Sequence, residues 1–152
     1  MSERHKAYTL RKGRFSVAGG VYVVTCVTEH RRPVFHCFDS ARLLICEMRA
    51  AQRQALIESL AFVVMPDHLH WLFRLEEGEL GDAIGKIKAR SSLAINRHHG
   101  WTGRLWQKGF YDRAVRKEED LRNIARYIVM NPIEAGLCKR IGQYPFWDAA
   151  WL

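Results

Sequence analysis

Apolar positions in the first half of the chain follow a strand period, then a helical one, then a strand period again. Val21-Tyr22-Val23-Val24-Thr25-Cys26-Val27-Thr28 is rich in β-branched and aromatic residues and reads as a strand. Asp39-Ser40 offers an N-cap, and the residues from there to about Ser59 contain no Gly or Pro, which predicts a helix. Leu60 to Met65 and His68 to Leu75 read as two strands joined by a short Pro66-Asp67 turn, so they are expected to pair antiparallel. Leu80, Ile84, Ile87, Ala94 and Ile95 keep helical spacing in a second helix from about Leu80 to His98. An aromatic-rich fourth strand is expected over Leu105 to Arg116, with a kink at Gly109.

A third helix is expected from Lys117 to Met130, with Glu118, Glu119 and Asp120 in its N-terminal turn and Leu121, Ile124, Ala125 and Ile128 as its apolar stripe. Pro132 ends or kinks it, and Gly136 punctuates a short continuation. The order gives an α+β fold: a ferredoxin-like split βαββαβ with a four-stranded antiparallel sheet and an additional C-terminal helix. With no repeat, low-complexity run or linker, residues 1–152 are expected to form one domain. Residues 1–20 would be a basic arm, and 138–152 an aromatic tail docked on the fold.

Composition adds the kind of partner. The 24 Lys and Arg against 16 Asp and Glu leave a net charge of +8, which points to a polyanion, most often nucleic acid. Candidate phosphate contacts are Arg4, Lys6, Arg11, Lys12 and Arg14 in the arm, Lys86, Arg90 and Arg97 along one flank of the second helix, and Lys108. Tyr8, Phe15, Trp106 and Phe110 are candidates for stacking on bases. Each charge is also open to the plainer reading of a solvated surface group. Cys26, Cys37, Cys46 and Cys138 show no C-x-x-C spacing and read as reduced thiols. The first residues carry no hydrophobic run and no stretch is long enough to span a membrane, so a cytoplasmic, nucleoid-associated protein is expected.

Candidate chemistry centres on Met65-Pro66-Asp67-His68-Leu69-His70-Trp71-Leu72-Phe73. Side chains alternate along a strand, so His68 and His70 share a face and make two-thirds of a small metal site. A His-x-His pair alone is common in a chain with seven histidines. On the third helix, Tyr127 and Asn131 are one turn apart, on one face beside the apolar stripe. The Asn131 amide oxygen suits a hard divalent cation, and the Tyr127 phenol is a nucleophile once deprotonated. A solvated Tyr127 and an Asn131 that merely closes the helix before Pro132 are the plainer readings. Tyr111 is a rival nucleophile in an aromatic run that favours packing.

The segments MPDHLHWLF, WQKGFYDRAVR and ARYIVMNPIEAGL, in that order, resemble the REP-associated tyrosine transposases. These are relatives of single-strand insertion-sequence transposases in the His-hydrophobic-His endonuclease superfamily. The resemblance runs from about Val21 to Trp147. It implies the histidine pair on a central strand, His68, His70 and Asn131 as ligands of Mg2+ or Mn2+, and Tyr127 as the nucleophile. The implied activity is metal-dependent cleavage and rejoining of single-stranded DNA near repetitive extragenic palindromic hairpins, through a 5′-phosphotyrosine. A monomer is expected, because the REP-associated branch is thought not to exchange its helix between subunits. Two alternatives stay open at this point: a catalytically inactive hairpin-binding protein on the same fold, and a small Zn2+ hydrolase, which lacks an obvious Glu base.

Overall fold

The computed structural model describes residues 16–151. Strand β1 (Val21–Val27) leads through two 3-10 turns to helix α1 (Phe38–Arg53), then β2 (Ile57–Met65), β3 (His68–Leu75) and α2 (Leu80–His99). After a long loop come β4 (Tyr111–Ala114), α3 (Leu121–Val129), the short α4 (Asn131–Glu134) and β5 (Trp147–Ala149). The sheet order is β4-β1-β3-β2-β5, with every pairing antiparallel. Its first four strands keep the ferredoxin-like order expected of the βαββαβ pattern.

Helices α1 and α2 cover one face of the sheet. Trp71, Phe73, Leu75 and Leu69 from β3 pack there with Leu44 and Met48 of α1 and Leu80, Ile84, Ile87 and Ile95 of α2. Trp71 is fully buried, and its indole nitrogen donates to Ser59 Oγ at 2.9 Å. Helix α3 covers part of the other face through Ala125, Ile128 and Val129, against Ala61, Val63 and Leu72. Asp120 caps α3 by accepting from the backbone of Arg122 at 3.0 Å and Asn123 at 3.4 Å.

The structure departs from the sequence expectations most at three elements; in addition α3 begins at Leu121 rather than Lys117, with Asp120 as its cap, and β2 begins at Ile57 rather than Leu60. The sheet has five strands rather than four, because the aromatic tail is docked by its backbone as well as its rings. Ala61, Phe62 and Val63 of β2 pair with Ala149, Asp148 and Trp147. Tyr144 further anchors the tail by donating its hydroxyl to the Val64 carbonyl at 2.6 Å. The fourth strand is only Tyr111–Ala114; Trp106 makes a single bridge to Thr28, and residues between them bend through Gly109 at φ 74.

Helix α1 stops at Arg53 rather than near Ser59. The stop is a left-handed cap in which Leu56 N donates to Ala51 O at 3.1 Å. The residue in the left-handed conformation is Ala55, at φ 59. Glycine usually holds that position, so the sequence carries no visible signal of the stop. A Cβ there costs about 1–2 kcal/mol, partly offset by the backbone entropy that glycine loses on folding. Ala55→Gly is therefore expected to raise stability by about 0.5–1 kcal/mol, read as a higher urea midpoint with an unchanged slope.

Candidate functional site

Strand β3 lies between β1 and β2, and the pairing register fixes where its side chains point. His68 stands opposite Val27 of β1 and Met65 of β2; His70 stands opposite Thr25 and Val63. Trp71 and Phe73 fill the α1/α2 core, so His68 and His70 project from the other face, the one that α3 partly covers. Both rings are half-buried.

Each imidazole has its Nδ1 engaged by a neighbour. His68 Nδ1 is 2.9 Å from Asp67 Oδ1. An ionised carboxylate only accepts, so this nitrogen carries the proton and donates. Burial works to raise the Asp67 carboxyl. The hydrogen bond and charge of His68, then those of Arg31, outweigh it and hold the group below its usual range. Arg31 Nη1 lies 3.1 Å from the second oxygen, Oδ2. His70 Nδ1 is 2.9 Å from the Thr25 hydroxyl. Burial, then the charge of His68, lowers the His70 pKa to about 4, so that ring is neutral at ordinary pH. Nδ1 of each ring is thus engaged, by Asp67 for His68 and by Thr25 for His70, and among the described residues no hydrogen-bond partner meets either Nε2.

Helix α3 presents two flanks. Arg122, Ala125, Arg126 and Val129 border β5, where with Ala149 and Trp151 they line a cavity of about 260 Å³. Tyr127 lies on the flank away from β5 and is 72% exposed. Arg126 donates to Asn123 Oδ1 at 3.2 Å and lines the cavity on the β5 flank. Asn131 follows after the C-cap Met130 and opens α4 rather than continuing α3, though Met130 stays helical at φ −81 and ψ −7. The Asn131 side-chain nitrogen donates to the Ile128 carbonyl at 3.2 Å, which leaves the amide oxygen to face outward from that bond.

The remaining sequence candidates fall elsewhere. Trp106 is 4% exposed, with its nitrogen on Ser91 Oγ at 3.1 Å and its ring 5.5 Å from Phe35. It is a core residue, and the expectation that it stacks on bases is wrong. Phe110 is likewise packed against that core. Lys86, Arg90 and Arg97 are exposed on α2, which covers the sheet face opposite the histidines. Lys86 reaches Gln54 Oε1 at 3.1 Å across the α1/α2 seam. Lys108 is exposed on the loop before β4, and Tyr111 stands beside Thr25 on the histidine face, one strand beyond it. Arg4, Lys6, Arg11, Lys12 and Arg14, with Tyr8 and Phe15, lie outside the described residues.

Sequence reasoning missed Asp67, Thr25 and Arg31. Asp67 carried a signal, a carboxylate directly before the His-x-His pair, but it was absorbed into the turn. Thr25 and Arg31 become visible only once the β1–β3 register and the 28–32 turn are known.

Comparison with known proteins places this arrangement. Residues 16–131 match the family described as "Transposase IS200 like". A REP-associated tyrosine transposase of Escherichia coli is 27% identical over 135 residues, covering 88% of this chain and 78% of that protein. A relative from Haemophilus influenzae is 27% identical over 143 residues, covering 84% of this chain and 78% of its own. The solved structure of a REP-associated tyrosine transposase bound to a REP hairpin superposes with a TM-score of 0.73 at 26% identity, covering 88% of this chain and 79% of that one. With three-quarters of its length matched and the fold shared, the chain belongs to the IS200-like transposase family.

Proposed function

We propose that this protein is a metal-dependent single-strand DNA endonuclease and strand transferase that cuts and rejoins DNA beside a repetitive extragenic palindromic hairpin, through a 5′-phosphotyrosine on Tyr127. One observation carries the reading: two imidazoles on adjacent same-face rungs, each with Nδ1 committed and Nε2 open. The relative bound to a REP hairpin supports the substrate class. The charge of +8 agrees with it.

The donors present fit a divalent cation. His68 and His70 would offer Nε2, and the Asn131 amide oxygen the third, harder ligand. Imidazole is a less usual ligand for Mg2+ than carboxylate, so Mn2+ is the ion to use in vitro. When bound, the cation supplies charge neutralisation at a non-bridging phosphate oxygen. The other steps belong to the chain. Asp67 and Thr25 hold the two rings in one tautomer and orientation. Tyr127, exposed on α3, gives up its phenolic proton and attacks phosphorus; the bond to the 3′ oxygen breaks, and that oxygen leaves as a hydroxyl once it takes up a proton. The phosphotyrosine diester retains the bond energy, so a 3′-hydroxyl from another strand reverses the step and rejoins DNA without ATP. Among the described residues, no helix is long and apolar enough to cross a membrane.

A second reading, a hairpin-binding protein without cleavage, draws on the exposure of Tyr127 at 72%. One assay separates the two. Incubated with a flanked hairpin oligonucleotide and Mn2+, the wild type is expected to form a denaturation-resistant protein–DNA adduct that Tyr127→Phe does not form. An adduct of undiminished yield in Tyr127→Phe would show that the nucleophile is another residue, and no adduct in either would favour the binding protein.

The two orienting residues make a separate prediction. Asp67→Asn and Thr25→Val are each expected to weaken Mn2+ binding about 10- to 100-fold, by calorimetric titration without DNA, with circular dichroism unchanged. Binding at wild-type strength in both variants would remove the histidine pair from the metal site.

A further inference from the structure

We propose that Trp101, backed by His99 and roofed by Arg32, forms a slot that takes one unpaired base of the DNA strand on which the histidine site acts. The inference rests on the proposed function for its substrate, and for its geometry on an aromatic–cation stack that the 28–32 turn ties to Asp67.

Trp101 is 40% exposed and sits just past the end of α2, where Gly100 turns the chain at φ 70 and Trp101 N donates to Asn96 O at 2.9 Å. The His99 ring lies flat against one indole face, with centroids 4.0 Å apart and planes within 13°. His99 is itself fixed by Ser40, whose fully buried hydroxyl is 2.7 Å from Nε2. The platform is therefore held from beneath by the protein core.

With that face occupied, the Arg32 guanidinium stands over the other, 5.8 Å from the ring centre. That is wider than direct stacking contact. Bases stack about 3.4 Å apart, so a base between indole and guanidinium needs a gap of about 7 Å. The slot is about 1 Å short of that span. Arg32 is exposed, and among the described residues its guanidinium makes one hydrogen bond, from Nη2 to the Arg104 carbonyl at 3.1 Å. A small lift of this side chain admits a base, which then lies between an aromatic face and a cation, the two surfaces on which unpaired bases are known to stack.

A chain of hydrogen bonds ties the slot to the histidines. The buried Thr28 hydroxyl shares its proton between the carbonyls of Arg32 at 2.8 Å and Asp67 at 3.1 Å. Thr28 N donates to the same Asp67 carbonyl at 3.0 Å. Arg31 then reaches the Asp67 carboxylate, which orients His68. His30 and Arg31 adopt φ of 58° and 51°, two successive non-glycine residues in the left-handed region. Such strain persists only where the surroundings enforce it. Here it presents successive arginines in two directions, one to the site and one over Trp101. A strand whose phosphate lies at His68 would thus carry a neighbouring base toward Trp101.

The test uses the full chain and hairpin oligonucleotides carrying 2-aminopurine at successive positions of a single-stranded flank, against a blunt hairpin without one. The wild type is expected to quench the fluorophore at one flank position and to bind the flanked hairpin more tightly. Trp101→Leu should abolish that quenching and weaken the flanked hairpin about tenfold, while binding the blunt hairpin within about twofold of wild type. Trp101→Phe should restore most of both signals. Arg32→Gln, at an exposed position that does not threaten folding, should lose selectively on the flanked hairpin as well. Equal losses on the flanked and blunt hairpins, or no loss on either, would overturn the slot. If the wild type ignores the hairpin yet quenches an unstructured oligonucleotide through Trp101, the slot stands and the hairpin substrate fails. If Tyr127→Phe still forms the covalent adduct while Trp101→Leu loses the flank preference, only the nucleophile assignment fails.

Discussion

The register of β3 against its two neighbours is the constraint on which the rest depends. His68 and His70 alternate with Leu69, Trp71 and Phe73, and the β1 and β2 pairings hold that alternation over the length of the strand. A slip of one residue would turn two imidazoles into the α1/α2 core and expose Trp71 and Phe73 on the other face. Both changes are costly, the first by burying polar rings without partners and the second by returning large apolar surfaces to water. The energy that folds the sheet therefore also aims the histidines. The site needs no separate device to choose its face.

Polar satisfaction then sets the chemistry of the two rings. His70 lies among buried neighbours that disfavour its cation, and the Thr25 hydroxyl meets one of its nitrogens. His68 faces a carboxylate that Arg31 also reaches, so Asp67 is held by two groups rather than one. The outcome is one imidazole kept neutral by burial and one oriented by an anion. The partners sit on different elements: Thr25 on β1, Asp67 in the β2–β3 turn, Arg31 in the strained turn after β1. The order of the site thus depends on the closure of that whole end of the sheet.

Long patterned elements were legible in the sequence, and short or cap-determined ones were not. β1, β3 and α2 fall where alternation and helical spacing put them, because burial on a face is written into every second or every third and fourth residue. The end of α1 was hidden because Ala55 adopts a conformation normally marked by glycine. β5 was hidden because three residues, Trp147 to Ala149, are too few to show a period, and its edge pairing rests on backbone hydrogen bonds that any side chain permits. Trp106 was misread because an aromatic in WQKGF carries no local mark of burial: only the fold distinguishes a tryptophan bonded to Ser91 from one open to solvent. Lys86, Arg90 and Arg97 do share a helix flank, but periodicity cannot say which face of the sheet that helix covers. The histidine pair was the opposite case for its face, since alternation with apolar residues put both rings on one side of the strand, while its partners Thr25, Asp67 and Arg31 became visible only in the fold.

The two halves of the candidate site are joined by hydrophobic packing rather than by any direct bond among the described residues. His68 and His70 ride on β3, while Tyr127 and Asn131 ride on α3 and the short helix after it. α3 is held to the sheet by Ala125, Ile128 and Val129 against Val63 and Leu72. Val63 is the β2 partner of His70, and Leu72 is the next same-face residue of β3. The rung that carries the second histidine thus also carries the surface on which the helix rests. Apolar contacts of this kind fix position without fixing charge, so the helix rests on the histidine face of the sheet while Tyr127 stays on a solvated flank. Under the proposed function, the phenol would meet a phosphate when a DNA strand is laid across the gap between strand and helix. The 28–32 turn, which links Asp67 to the surface around Trp101, lies at the end of the sheet where that strand would leave.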